Sequence, residues 1–432
     1  MGIKPIFFVA IAHTDNVACF TDEIGITKER VSNINLFPER LRENLLFSMS
    51  FDPEIHYRTM SSKLDPIGDN RKLTTIARKP KKMFADCGAF QFRDMPIPTI
   101  KNTVLNYDVA WNYYKETHVM AEHDWDEILL CSPDHIITSD MDNDTASKRF
   151  NFIKENAAPF LEKCRYDSRI SAVGVIHGRN IAERKEQYEM FKSQGYKYVA
   201  LGGMVPYSTK QNEVLNIIAG IEDIEKPVIE PSSILGRCRK DGIKLHVFGL
   251  NSPEWVRWWY RLQLDSFDGS KLSTEGAANG WYYVPNDGKG AGRERPFQPK
   301  NVRELYQRIA VKKIRSHKWK WKNENGILKP VVPLTEKEVD TNCDCPACQY
   351  LKSSRCTSER CWFRKDNPNH YHVADPRMMG STEHNMGRVA HNAFIFDWII
   401  EQIEHFNKLA DESEIDDENT WLLNWKTVEG EL

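Results

Sequence analysis

Val173-Gly174-Val175-Ile176-His177-Gly178 and Tyr198-Val199-Ala200-Leu201-Gly202-Gly203 enclose Ile181 to Gln194, and the reading of this stretch decides the fold. Both flanking runs are short and apolar throughout instead of alternating, as in strands of a parallel sheet covered on both faces. Each run ends in a glycine or a polar residue. The segment between them reads as a helix that closes at Gly195, a residue suited to a left-handed C-terminal cap. Strand, helix and strand form one βαβ unit, with the polar tips at the carboxyl edge of the sheet.

The same pattern extends in both directions. Met83-Phe84-Ala85 runs into Asp86-Cys87-Gly88, Ile136-Ile137-Thr138 into Ser139-Asp140, Leu245-His246-Val247-Phe248 into Gly249, and Leu262 to Phe267 into Asp268-Gly269. Ile6 to Ile11 reads as the first strand: polar His13, Thr14 and Asp15 follow it, without the long apolar stretch and small-residue cleavage site of a signal peptide. Thr145 to Cys164 places Phe150, Ile153, Ala157 and Phe160 on one helical face, and Val214 to Ile221 is a shorter helix. Ser252-Pro253-Glu254 starts another, with serine as cap and proline in the first turn. Repetition of this unit predicts an α/β fold, a (β/α)₈ TIM barrel, whose active site would lie at the strand tips. A doubly wound open sheet is the alternative that pattern alone leaves open.

Composition narrows the classes. A chain of 432 residues exceeds one ordinary domain of roughly 150 residues. With 59 Lys and Arg against 61 Asp and Glu, the net charge of −2 excludes a broadly basic nucleic-acid binder but allows a local basic groove. No apolar run approaches the roughly 20 residues of a membrane helix, so a cytoplasmic protein without membrane contact is expected.

Ten cysteines divide into two groups. Cys19, Cys87, Cys131, Cys164 and Cys238 are scattered singly, whereas five crowd between Cys343 and Cys361. Clustering of this kind in a long chain points to metal more than to disulfides. In Cys343-Asp344-Cys345-Pro346-Ala347-Cys348 a tight turn can direct three thiolates at one ion. Tetrahedral zinc then needs one more ligand, and a closed site of that type is structural. Cys356, Cys361, His370, His372, His384 and His391 are the candidates, and spacing does not choose among them. Before the cluster, Glu275 to Lys300 is rich in glycine and reads as a surface loop or a substrate lid. Lys312 to Lys322 interleaves lysines with Trp319 and Trp321, which suits either a solvated face or a nucleic-acid contact.

These residues together resemble a known family. Phe84-Ala85-Asp86-Cys87-Gly88-Ala89-Phe90-Gln91 is similar to the Asp-Ser-Gly-Ala/Gly-Phe/Tyr-Gln motif of the tRNA-guanine transglycosylases. Asp140 after an apolar run, Val175 to Gly178, Ala200 to Pro206, His246 to Gly249 and Asp265 to Asp268 follow in that family's order, and the cysteine cluster comes next. His391-Asn392 ahead of an apolar helix completes the series better than His384-Asn385 does. Two departures are informative: His177 stands where the family has glutamine, and Cys87 where it has serine. The pattern most resembles the branch that inserts 7-deazaguanine bases into DNA.

The resemblance implies a glycosyltransferase that exchanges guanine in DNA for a 7-deazaguanine such as preQ0, within DNA modification, restriction or anti-restriction. It implies Asp268 as nucleophile and Asp86 as general acid and base, with a covalent intermediate keeping the strand whole. Phe90, Gln91, Asp140, His177, Gly202, Gly203 and Phe248 would bind the base. Cys343, Cys345, Cys348 and His391 would hold one Zn²⁺. Residues 1–325 would form the catalytic barrel and 326–432 a zinc-binding subdomain with C-terminal helices. The implied partners are DNA, a free 7-deazaguanine base and a helper ATPase, the target guanine being flipped out or single-stranded. Two alternatives stay open: the same exchange on tRNA, and a non-catalytic, zinc-stabilised partner subunit.

Overall fold

The computed structural model of the chain describes residues 4–11, 16–19, 29–32, 37–49, 81–100, 102–115, 125–278, 281–285, 299, 301–310, 321–324, 327–330, 345 and 382–412. Eight parallel strands close into a barrel: β1 (Ile6–Ile11), β2 (Asn44–Ser48), β3 (Lys82–Asp86), β4 (Glu127–Cys131), β5 (Ile170–Ile176), β6 (Tyr198–Leu201), β7 (Lys244–Val247) and β8 (Ser266–Gly269). Each strand pairs with its predecessor and successor in the chain, and β8 returns to β1, with Phe8 opposite Asp268. Closure excludes the open-sheet alternative. The fold is the expected (β/α)₈ barrel.

Alternation along each strand divides the core in two. Phe8, Leu46, Phe84, Leu129, Cys131, Val173, Val175, Tyr198 and Ala200 fill the barrel interior. Their neighbours, among them Phe7, Val9, Leu45, Phe47, Met83 and Ala85, belong to the larger core against the helices. Both faces are thus buried, which is why the strands read as unbroken apolar runs.

The helices that position the strand tips include α1 (Glu39–Arg42), α2 (Tyr107–Tyr114), α3 (Asn143–Cys164), α4 (Ile181–Gln194), α5 (Gln211–Ala219), α6 (Ile234–Asp241) and α7 (Pro253–Arg261). In α3, Ile153, Ala157 and Phe160 are fully buried as their spacing predicts, and Asp142 caps the start by accepting from the Thr145 amide. Helix α4 ends at Gly195, whose φ of 96° only glycine adopts without strain.

Two apolar runs were read differently from their structure. Ile136-Ile137-Thr138 is not a strand; the ladder is made by Glu127–Cys131 just before it. Pro133 lacks an amide hydrogen, so the segment after Cys131 leaves the sheet and crosses the barrel top as buried loop. At the other end, β8 begins only at Ser266, after a turn with Gln263 at a φ of 47°.

After β8 come a hairpin of β9 (Trp281–Pro285) with β10 (Tyr306–Ala310) and a second of β11 (Trp321–Glu324) with β12 (Ile327–Pro330). The last helix, α8 (Thr382–Glu412), then returns to the barrel and packs on α7, α1 and β9. Arg40 of α1 bonds Glu404 at 2.9 Å and lies 3.3 Å from Asp397, and Tyr260 of α7 also donates to Glu404. Helix α8 therefore lies against both α7 and α1. Among the described residues no helix is long and apolar enough to cross a membrane. Cys343, Cys348, Cys356, Cys361, His370, His372, residues 286–298 of the glycine-rich segment and residues 311–320 of the basic stretch lie outside the described residues.

Candidate functional site at the carboxyl ends of the barrel strands

Asp86 ends β3, where Gly88, at a φ of 80°, turns the chain into a short helix at Ala89–Phe92. The Ser48 hydroxyl, across from it on β2, donates to Asp86 Oδ2 at 3.1 Å. Burial first, then the nearby Asp134 and Asp268 carboxylates, push the Asp86 carboxyl from its ordinary range up to about 7. Asp86 at the end of β3 and Asp268 in β8 therefore influence one another although they arise on different strands.

Asp134 forms the second group. It sits just beyond Pro133, 2% exposed, and both its oxygens have donors turned to them. The Cys87 thiol donates to Oδ1 and His177 Nε2–H to Oδ2 at 2.6 Å. Burial and the two carboxylates push the Cys87 thiol well above its ordinary pKa, so it stays an S–H donor. His177 follows β5 and is fixed from behind by Gln187, whose Oε1 accepts its amide at 2.8 Å. Gly202 lies flat on the imidazole: a Cβ there would fall 2.3 Å from His177 Cε1. Gly203, at a φ of 66°, follows at once. With Nε2 committed to Asp134, His177 Nδ1 is buried with no hydrogen-bond partner among the described residues. It is the polar atom left for something that enters.

Asp268 lies in β8, 7% exposed, with Oδ1 accepting the Gly249 amide at 2.8 Å and His246 Nε2 at 3.4 Å. Gly249 adopts a φ of 77°, which turns that amide back toward the barrel. Phe248 is partly buried and meets Phe84 and His246 edge-on at 5.5 and 4.6 Å. Phe90 is 54% exposed on the rim under the Arg93 guanidinium, beside exposed Gln91. Asp265, three positions before Asp268, accepts from Leu245 at the opposite, amino end of β8.

The structure thus brings Asp86, His177, Gly202, Gly203, Phe248 and Asp268 to one end of the barrel. It does not bring Asp140 there. That residue is exposed in a turn, and a hydrogen bond from Thr138 holds its carboxyl below the ordinary range. Asp134 is the acid the structure places beside His177 and Cys87, and sequence reasoning missed it because Ile136–Thr138 was taken for the strand. The available signal was Cys131-Ser132-Pro133-Asp134, an apolar run closed by proline and tipped by an acid. Asp86, Cys87 and Asp134 also offer one donor atom each within 4.8 Å of one another, a spacing that can hold a metal ion.

A second polar cluster joins α8 to the first hairpin. Cys345 Sγ lies 3.4 Å from His391 Nδ1, both residues 1% exposed. Two ligands of one tetrahedral zinc, at ordinary Zn–S and Zn–N lengths, stand about 3.6 Å apart. His391 Nε2–H donates to the Tyr283 carbonyl at 2.8 Å, which turns the Nδ1 lone pair toward the sulfur. These two residues fit a zinc site; Cys343 and Cys348 lie outside the described residues, as does the side chain of His384.

Fold and site together define a TIM barrel with paired acids at the carboxyl ends of its strands. No family model matches the chain. The chain is similar to a curated DNA-guanine transglycosylase of Salmonella montevideo, 26% identical over 197 residues. The match covers 44% of this chain and 41% of that protein, so it spans less than half of its relative's length. The resemblance read in the sequence is matched by a curated relative of that name.

Proposed function

We propose that the protein is a DNA-guanine transglycosylase that exchanges guanine for a 7-deazaguanine base through a covalent aspartyl intermediate. The observation that carries this reading is the pair Asp268 and Asp86, on separate strands but close enough for one charge to raise the other's pKa. The name of the distant relative supports the reaction class and the nucleic acid.

Each residue then has a task. Asp134 accepts from the N–H groups of the guanine edge through the lone pairs that Cys87 and His177 leave open. His177 Nδ1 and the backbone of Gly202 and Gly203 face the opposite side of the base, and Phe90 and Phe248 lie against its faces. One Asp268 oxygen attacks C1′ of the flipped nucleotide, forming an ester-like C–O bond as C1′–N9 breaks. The electron pair of the broken bond stays on guanine, which takes the proton of Asp86. The incoming base returns a proton to Asp86, its N9 attacks C1′, and the Asp268 carboxylate is released. A carboxyl poised near neutrality suits both directions of this shuttle. The glycosidic energy is kept in the covalent bond, so the exchange itself consumes no ATP.

Cys343, Cys345, Cys348 and His391 would hold one structural zinc, which supplies folding energy and no chemistry to the exchange. Metal coordination at Asp86, Cys87 and Asp134 is the less apt reading, since Cys87 Sγ and His177 Nε2 already engage both oxygens of Asp134. The test is incubation with radiolabelled guanine and either DNA or tRNA, resolved on a denaturing gel. Label and a shifted protein band with DNA are expected, and neither with Asp268→Asn. Label in tRNA alone would transfer the same chemistry to RNA. Unchanged activity in Asp268→Ala would overturn the nucleophile assignment.

A further inference from the structure

His246 lies inside the barrel, fully buried on β7, where a strand interior offers room for an aliphatic side chain. Its ring is caged by Phe84 at 4.4 Å, Phe248 at 4.6 Å and Phe8 at 6.1 Å. Both of its nitrogens have polar partners. Nδ1 is 2.8 Å from Ser266 Oγ, and Nε2 is 3.4 Å from Asp268 Oδ1. Ser266 Oγ is in turn 2.7 Å from the hydroxyl of Tyr198, a residue of β6 buried on the barrel axis.

The direction of every bond in this chain follows from its last member. A carboxylate only accepts, so Nε2 must carry the hydrogen toward Asp268. A neutral ring then has a lone pair at Nδ1, which the Ser266 hydroxyl must fill by donating. Ser266 Oγ accepts from Tyr198 O–H. Burial pushes the imidazole pKa down and favours the neutral ring, with Asp268 opposing. One tautomer satisfies all four groups, and the aromatic cage prevents the ring from turning away.

We propose that His246 is a positioning residue for the nucleophile: with the Gly249 amide it fixes Asp268 Oδ1, so that Oδ2 is the oxygen that attacks, while Ser266 and Tyr198 lock the required tautomer. This rests on Asp268 being the nucleophile and adds to it a three-residue support reaching down the barrel. The 3.4 Å contact is long and tightens when substrate closes the site, as such bonds do between free and bound enzymes.

The test is the single-turnover rate of the covalent protein–DNA band, followed beside nucleic-acid affinity and thermal melting. His246→Phe keeps the aromatic packing and removes both nitrogens. It should slow band formation by roughly ten- to a hundred-fold, the usual effect of losing an orienting partner, with affinity and melting unchanged. His246→Gln, whose amide still donates to Asp268, should recover most of the rate. Ser266→Ala leaves the ring in place but removes its lock, and should slow the step several-fold without unfolding the chain. Wild-type rates in both His246→Phe and Ser266→Ala would overturn the role. So would a loss that follows melting in each variant and that glutamine does not repair. If the wild-type protein itself forms no band with any nucleic acid, the transglycosylase reading fails and this role with it. A wild-type band that Asp268→Asn abolishes and His246→Phe leaves intact removes the positioning role alone.

Discussion

Asp86 sits where burial and two neighbouring carboxylates all disfavour its charge, and the consequence is a pKa near 7. The group must be protonated to hand a proton to departing guanine, so the rate of adduct formation should fall as pH rises through about 7. A pH series of single-turnover rates checks this; a flat profile between pH 6 and 8 would assign the proton elsewhere. Stability follows with a defined sign. Because the folded value is raised, the stability linked to this group is present below its ordinary value and lost as pH rises through about 7. Asp86→Asn should therefore melt at the same temperature as the parent at pH 4 and above it at pH 8. Asp134 and Asp140 separate the two readings of the base pocket. Asp134→Asn should weaken guanine binding by roughly ten- to a hundred-fold, the scale of hydrogen bonds to a charged group. Asp140→Asn, exposed in its turn, should leave calorimetric affinity unchanged.

At the scale of the element, two glycines report how closely helices and strands approach. Gly174 in β5 lies under Phe191 of α4, and a Cβ there would fall 2.4 Å from the ring. Gly174→Ala should cost about 1–3 kcal/mol by overpacking, measured as a fall in the denaturant midpoint. Gly202→Ala presses on His177 instead. It should lower base affinity more than it lowers stability, because the displaced ring is the partner of Asp134. Helix α4 was legible to its last residue, since cap chemistry is local: Asn180 accepts from the Glu183 amide at the start, and Gly195 ends it. Strand β4 was not. Ile128–Cys131 and Ile136–Ile137 are both short, apolar and buried. Which one joins the ladder depends on the pairing of β4 with β3 and β5, a long-range fact.

For the whole molecule, α8 is the piece that joins three regions. It carries the Asp397 and Glu404 contacts to Arg40, packs Phe396 on Phe7 of β1, and holds His391 against Cys345 and the β9 hairpin. Asn392 doubles that last contact by accepting from the Tyr283 amide and donating to the Trp281 carbonyl. The zinc proposal therefore predicts a global effect. One zinc per chain is expected on metal analysis, and a chelator under mildly destabilising conditions should lower the melting temperature. His391→Ala should lose the metal and His384→Ala should retain it; the reverse result would move the fourth ligand.

The sequence by itself determined the parallel α/β class, because burial of a parallel strand on both faces forces an apolar run and each run must end at a tip. Closure into a barrel was decided by the pairing of the last strand with the first. The sequence also singled out Asp86, His177, Gly202, Gly203 and Asp268, which stand at or near such tips. Only the tertiary structure decided that Asp134 and not Asp140 joins them, since two apolar candidates four residues apart, Glu127–Cys131 and Ile136–Thr138, compete for one place in the ladder. It alone placed Tyr198, Ser266 and His246 in line behind Asp268. Those residues sit on three strands, and the barrel's closure and stagger, which no local pattern encodes, bring their side chains within hydrogen-bond reach.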